Sequence, residues 1–62
     1  LFRSLTETFV SRGHEWCGKT IRELSLPKNS LAILIRRGTE TIIPGGQTII
    51  QEGDTIVVNA LR

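Results

Sequence analysis

Cysteine and histidine, the residues that cross-link small domains or hold structural metals, are almost absent from this chain. Its 62 residues include one cysteine, Cys17, and one histidine, His14. One cysteine cannot form an internal disulfide, and one His with one Cys is too few for a structural zinc site. Chains this short bury only about 60% of their unfolded surface and usually need such support or a partner chain. We therefore expect a partner chain and no cofactor.

Aromatic residues and charge of one sign are scarce as well. The aromatics are Phe2, Phe9 and Trp16, and eight basic residues against six acidic ones give a net charge of +2. Nucleic-acid-binding domains more often carry a dense basic stripe with interleaved aromatics, so no nucleic-acid polymer is expected as a partner.

Long apolar runs are also missing. No run reaches the roughly 18 to 20 residues that span a bilayer, and no signal-peptide pattern is visible. Together with the lone cysteine, this predicts a cytoplasmic domain. Because the first residue is Leu1 rather than Met, we expect residues 1–62 to be a single domain excised from a larger protein.

The apolar pattern predicts a strand, a short helix and then three or so strands. Leu5–Val10 is Thr-rich and β-branched, as in a strand. Thr20–Leu24 has the capping-box spacing of Thr20 and Glu23, and this helix must end before Pro27. The remaining predicted segments are Ser30–Arg36, Thr39–Ile43 after a turn at Gly38, the short Thr48–Ile50, and Thr55–Ala60 after the turn Glu52–Asp54. This order predicts a small α+β domain with a mainly antiparallel sheet and one short helix.

Ser30–Arg36 is apolar on both faces. Simple alternation assigns to one face Leu31, Ile33 and Ile35, and to the other Ala32 and Leu34. Such a pattern predicts a central strand that is covered on both sides. Because one short helix supplies only part of one layer, we expect a second copy of the chain to pack against the sheet as a homodimer.

The stretch GHEWCGKT, Gly13–Thr20, matches the phosphate-binding pattern G-x-x-x-x-G-K-[ST]. A working phosphate loop follows a buried strand and opens a long helix, whereas here the helix stops before Pro27. Four bulky or acidic residues, His14 to Cys17, also lie where phosphates would approach. We interpret the match as accidental and predict no enzyme; Mg²⁺-ATP hydrolysis that is lost in Lys19→Ala would reverse this interpretation.

The same loop offers no convincing nucleophile–base pair. His14 and Cys17 are close in sequence, but no third group that would orient the base is apparent. We expect Cys17 to be a small buried hydrophobe, and Trp16, if exposed, to be an interface anchor.

Gly18–Val58 resembles the TrkA C-terminal domain, also called the RCK C-terminal lobe, and the preceding strand and loop fit too. The shared features, in order, are Gly18 before a short helix with Glu23-Leu24, then Leu26-Pro27, an apolar strand closing in Arg36-Arg37-Gly38, then Ile43-Pro44, and Gly53-Asp54 leading into the last strand. The segments LPKNSL (residues 26–31) and IIPGGQT (residues 42–48) look most like those of family members attached to chloride channels and cation–proton antiporters.

The resemblance implies a tightly dimeric regulatory domain. Such domains serve potassium channels, potassium uptake systems, antiporters and chloride transporters in the cytoplasm. Several bind a small ligand between the two copies, and cyclic di-AMP is the best-known ligand in Gram-positive bacteria. Members competent for it carry an Arg in the loop after the helix and an Asn at the start of the next strand. Here that loop has no Arg, and Leu31 stands at the Asn position.

By this resemblance the dimer cleft has either lost its ligand or changed it. If the loop shifts, Lys28 and Asn29 substitute for the missing Arg and Asn, and the apolar walls come from Leu31, Ile33 and Pro44. The interpretation that the residues favour is that the apolar ones simply form the dimer core, because apolar strand residues are usually packing.

We predict a cytosolic regulatory and dimerisation domain of a bacterial membrane ion transporter, whose transmembrane part is on the same chain or in its complex. One alternative is a structural dimerisation domain without a ligand. Another is a DNA-binding dimer of the AbrB type, which shares an Ile-Pro step and a Gly-Asp turn. That family follows Ile-Pro with a short basic helix, whereas this chain has Gly45-Gly46-Gln47; DNA affinity that falls steeply with salt would favour it.

Overall fold

A computed structural model describes residues 3–61, so Phe2 lies outside the described residues. Four strands form one antiparallel sheet: β1 (Arg3–Phe9), β2 (Ser30–Arg37), β3 (Glu40–Ile42) and β4 (Thr55–Leu61). The order across the sheet is β1-β4-β2-β3. The antiparallel sheet, the β2–β3 hairpin at Gly38 and the central position of β2 are thereby confirmed.

The predicted helix at Thr20–Leu24 is shorter than expected. It is a single 3₁₀ turn, Ile21–Glu23. The Glu23 carboxylate accepts hydrogen bonds from the Thr20 backbone N–H at 2.8 Å and from its hydroxyl at 3.2 Å, in agreement with the predicted capping spacing. Backbone N–H groups of the turn donate to carbonyls of loop 45–48. The neighbouring loop therefore holds this segment, and one 3₁₀ turn replaces the helix of the predicted α+β fold.

A β-bulge in β2 changes the predicted faces of that strand. Ala32 and Leu34 pair with adjacent residues of β4, which leaves Ile33 as an extra residue. The extra residue reverses the alternation, so Ala32 and Ile35 both lie in the core while Leu31 is exposed. The prediction that Leu31 and Ile35 share a face was wrong, because a period of two cannot anticipate an inserted residue.

The hydrophobic core lies on one face of the sheet, which we call the inner face. Its buried members are Val10, Ala32, Ile35, Ile50, Ile56 and Val58. Packed against them are the half-buried side chains of Trp16, Ile21, Leu24, Leu26 and Ile42. Thr48–Ile50 is not a strand; it makes one isolated bridge, from Thr20 to Ile49, and buries Ile50.

The opposite side of the sheet is exposed. We define the outer face by Leu5, Phe9, Leu31, Leu34 and Val57, which the strand register places together. Leu5, Phe9 and Leu31 are 65%, 60% and 63% exposed. Val57, in the middle of the sheet, is buried between its cross-strand neighbours. A single chain thus covers only the inner face of β2, and the predicted cover on the other face, by a second copy, stays a prediction.

Candidate functional site

The five predicted ligand residues are spread over three places in a single chain. Lys28 and Asn29 are exposed in the turn before β2, which the Ser30 N–H closes by donating to the Pro27 carbonyl at 3.1 Å. Asn29 has a φ of 65°, a left-handed conformation that Asn tolerates better than most residues.

The three apolar members lie farther along the chain. Leu31 is on the outer face, Ile33 is the half-buried bulge residue, and Pro44 is half-buried in the loop after β3. Of these, Leu31 offers the largest exposed surface to a second molecule.

Asn59 adds a feature that the sequence reading missed. It lies in β4 directly between Leu5 and Leu31. Its Oδ1 atom is buried and accepts no hydrogen bond from the residues the structure describes. A buried acceptor without a donor is costly, so a donor from a second molecule would be favourable here. In the sequence, only the position of Asn59 as a polar residue within the largely β-branched run TIVVNA (residues 55–60) could have drawn attention to it.

An ion pair crosses the outer face, since Glu7 lies between Leu5 and Phe9 on β1 and Arg36 lies two strands away on β2. The Arg36 Nη2 atom lies 2.6 Å from the Glu7 Oε1 atom, and both side chains are about half exposed. Exposed pairs of this kind contribute only about 0–1 kcal/mol. Arg36 therefore contributes little to stability and instead presents a charge beside an apolar surface.

The family-motif residue Asp54 is a structural residue rather than a ligand residue. Its carboxylate is inaccessible to solvent. It accepts two hydrogen bonds from the Arg37 guanidinium, at 2.9 Å from Nε and 2.8 Å from Nη2, and one from the Gln51 N–H at 2.9 Å. Arg37 Nη2 also donates to the Ile49 carbonyl at 3.0 Å. This clasp, Arg37 with Asp54, joins the end of β2 to the loop before β4.

The clasp also shifts both ionisation equilibria. The hydrogen bonds from Arg37 hold the pKa of the Asp54 carboxyl below its ordinary value, despite the opposing effect of burial. The same contact raises the pKa of the Arg37 guanidinium. Both groups are therefore held in their charged forms in the folded protein.

Gly53 explains why Gly-Asp precedes β4. It has a φ of 91°, and its N–H donates to the Val10 carbonyl at 2.7 Å. Asp54 returns the contact, since its carbonyl accepts from the Val10 N–H at 2.8 Å. The turn therefore joins the end of β1 to the start of β4, and a side chain at Gly53 would strain it.

The phosphate-loop pattern at Gly13–Thr20 folds mainly as turns, and only the single 3₁₀ turn Ile21–Glu23 follows it instead of a long helix. Its amides are already used by the protein: the N–H of Gly18 donates to the Ile50 carbonyl, that of Cys17 to the His14 carbonyl, and that of Lys19 to the Trp16 carbonyl. Amides that donate inward cannot also surround a phosphate, which supports the interpretation that the match is accidental.

The other expectations for this loop have mixed outcomes. Cys17 is exposed, so the prediction that it is buried was wrong: it lies in a surface turn rather than in the core. The Nδ1 atom of His14 accepts a hydrogen bond from the Trp16 N–H at 3.0 Å. Trp16 itself is half-buried against the core and the His14 ring, so it is no freely exposed anchor.

The described part of the chain holds no cluster of three or more His, Cys, Asp or Glu side chains placed to bind a metal. Within residues 3–61, no helix has the length and apolar character needed to cross a membrane.

Comparison with known proteins identifies the family. The model of the TrkA-C domain matches residues 5–60. The chain is 44% identical over 41 residues to the Trk system potassium uptake protein TrkA homolog 1 of Methanosarcina mazei, covering 66% of this chain and 9% of the relative. It is 39% identical over 51 residues to the Trk system potassium uptake protein TrkA homolog of Archaeoglobus fulgidus, covering 82% of this chain and 12% of the relative.

A second Methanosarcina mazei protein, TrkA homolog 2, is 34% identical over 44 residues, which are 71% of this chain and 10% of that protein. The chain thus spans about a tenth of the length of these relatives. The family match covers nearly every described residue, from β1 to β4. The chain belongs to the TrkA-C domain family.

Proposed function

We propose that this chain is a cytosolic regulatory and dimerisation domain of a membrane ion-transport protein, in the first place a potassium uptake system. Support comes from the TrkA-C family and from relatives named as Trk potassium uptake proteins. The transmembrane part belongs to the parent chain or to its complex. A chloride channel or a cation–proton antiporter as the parent stays a prediction.

The domain would act by binding rather than by catalysis. A ligand or partner that favours one arrangement of two copies shifts the attached transporter by its differential affinity for the two arrangements. The observation that carries this proposal is the exposed outer face on a chain of this family.

In the proposed homodimer, two outer faces pack against each other. Leu5 and Leu31 lie on either side of Asn59 and supply exposed apolar surface, and Phe9 supplies more beyond the Glu7–Arg36 ion pair. Asn59 lies between Leu5 and Leu31 with its Oδ1 buried and unpartnered among the described residues, and a turn of the amide toward the second copy would give that oxygen a donor.

Sedimentation equilibrium of the wild type, Leu31→Glu and Ile49→Glu tests the dimer. Ile49, like Leu31, is an exposed aliphatic residue, but it lies outside the four strands. It is therefore a matched control. We expect the wild type and Ile49→Glu to be dimeric and Leu31→Glu to be monomeric, because a buried carboxylate without a partner is costly. A monomeric wild type would contradict the proposal.

A small ligand such as cyclic di-AMP would bind in the cleft between the two copies, next to Leu31, Lys28 and Asn29. Thermal unfolding with added cyclic di-AMP tests this version. A ligand at about 100 times its dissociation constant adds about 2.7 kcal/mol, which is several degrees for so small a domain. If the unfolding temperature of a dimeric sample does not change with added cyclic di-AMP, the domain serves dimerisation without this ligand.

The regulatory role is tested in the full-length parent protein, by rubidium uptake in a host that lacks its own potassium uptake. We expect Leu31→Glu to change uptake at an unchanged protein level, and Ile49→Glu to leave it as in the wild type. If Leu31→Glu is monomeric and uptake nevertheless equals that of the wild type, the regulatory role is refuted. The conclusion that the wild-type domain dimerises would still stand.

A further inference from the structure

The inner face of the sheet is not filled along its whole length. At one end Val10, Ile35 and Ile56 pack closely. At the other end the sheet carries short side chains, and the segment Ser25–Lys28 passes over them without filling the space. The result is an open cavity of about 650 Å³, which we call the inner groove.

The floor of the inner groove follows from the strand register. Thr6 of β1 pairs with Val58, and Ser30 of β2 pairs with Ala60, so these small residues lie side by side on the inner face. Larger residues at these positions would have continued the core. The sequence thus leaves the groove open, within the usual size range of small-molecule sites, about 300–1,000 Å³.

The groove lining is apolar with a few polar groups. Apolar surface comes from Trp16, Leu26, Pro27 and Val58. Hydroxyls come from Thr6, Thr8, Ser25 and Ser30, and none of them takes part in the side-chain hydrogen bonds found among the described residues. This mixture is typical of sites that enclose an apolar body and fix its orientation by a few polar contacts.

Charge identifies the class of ligand. Among the residues that the structure describes, Lys28 is the one charged member of the lining, and no carboxylate lines the groove. We propose that the inner groove binds a small organic anion, with a flat ring against Trp16 and Pro27 and a phosphate or carboxylate facing Lys28. The groove lies on the opposite side of the sheet from the outer face. Lys28, in the turn before β2, is the one residue that this site shares with the ligand cleft proposed above, so Leu31→Glu rather than Lys28→Gln distinguishes the two sites.

Two pairs of probes test the proposal: adenosine 5′-monophosphate with adenosine, and phenyl phosphate with phenol. Each pair has the same ring with and without the anionic group. Trp16 is the chain's single tryptophan and lines the groove, so its fluorescence reports binding directly. Amide chemical shifts then map the contact onto the inner or the outer face.

We expect at least one phosphate to bind two- to fivefold more tightly than its neutral twin, the effect of one exposed charge pair worth about 0.4–1 kcal/mol. Lys28→Gln should abolish this difference. Lys19→Gln, at an exposed lysine outside the lining, should preserve it. Ala60→Leu should abolish binding by filling the groove; if it does not fold, Thr6→Leu on the exposed strand β1 serves instead.

Leu31→Glu separates this site from the dimer cleft. Groove binding should survive it, whereas a ligand held between two outer faces should be lost. The proposal is overturned if neither phosphate binds, if the preference for the anion persists in Lys28→Gln, or if binding persists in the folded groove-filling variant. It is also overturned if the full-length parent protein binds neither probe, because another segment then occupies the groove.

Discussion

Two neighbouring arginines at the end of β2 differ sharply in what they contact. Arg37 holds the solvent-inaccessible carboxylate of Asp54, whereas Arg36 pairs with the half-exposed Glu7. Sequence alone presents them as an equivalent pair before Gly38. The bulge at Ile33 decides which of the two faces inward, so the difference could not be predicted from alternation.

Replacing each arginine with alanine measures this difference. Arg37→Ala should destabilise the domain by about 3–5 kcal/mol, because it leaves the Asp54 carboxylate buried without its partner. Arg36→Ala should cost no more than about 1 kcal/mol. Urea unfolding followed by circular dichroism gives both values. Equal losses would mean that the clasp is no stronger than the surface pair.

Acid should weaken the clasp in a defined direction. The folded pKa of Asp54 lies below its value of about 3.9 in an unfolded chain. The stability it contributes is therefore complete above about pH 4 and is lost as the pH falls through the folded pKa. The free energy of unfolding of Asp54→Asn should fall less between pH 5 and pH 2 than that of the wild type.

Glu7→Gln is the control for this pH series when all variants are made in the monomeric Leu31→Glu background, where the Glu7 carboxylate stays exposed on the outer face. We expect its pH profile to follow the wild type more closely than that of Asp54→Asn does. If Asp54→Asn and the wild type lose stability in parallel, the acid sensitivity comes from other carboxylates.

At the scale of elements, the bulge in β2 determines which apolar residues enter the core. Deleting Ile33 would restore strict alternation and force either Ala32 or Ile35 out of the inner face. We expect a loss of about 2 kcal/mol or more, comparable to truncating a buried isoleucine. Leu31→Ala, at an exposed position of the same strand, should cost much less in a monomeric background such as Leu5→Glu. Denaturant unfolding of the two variants distinguishes them; equal stabilities would show that the bulge is dispensable.

The succession of strands along the chain was predictable because each has an apolar or β-branched pattern, and Gly or Pro bounds the later ones. Their order across the sheet, β1-β4-β2-β3, was not predicted. The helix at Thr20–Leu24 was over-predicted: its capping spacing is real, but bonds to loop 45–48 replace its own ladder. For the candidate site, the sequence led to the prediction of Lys28 and Leu31 as ligand residues, which stays a prediction, and of Asp54 as a family-motif residue. It could not show that Lys28 faces a groove or that Asn59 lies beside Leu31, since both depend on cross-strand register.

At the scale of the whole molecule, dimerisation and stability should be coupled. If two outer faces pack together only in the folded state, mass action makes the midpoint of thermal unfolding rise with protein concentration. We expect this rise for the wild type and for Ile49→Glu, and its absence for Leu31→Glu. Scanning calorimetry over a hundredfold range of concentration measures it. A midpoint independent of concentration in the wild type would contradict the dimer.

The pairing of Arg3 with Leu61 has a consequence for synthesis of the domain. The β2–β3 hairpin turns at Gly38 between the paired residues Arg37 and Glu40, so it can close as soon as it leaves the ribosome. Within residues 3–61, β4 is the one strand that neighbours β1 in the sheet, so β1 stays unpaired with the others until β4 has emerged. Until β4 emerges, the nascent chain therefore carries β1 unpaired. Chaperones that bind extended apolar segments have more time to bind β1 than to bind any later strand of the domain.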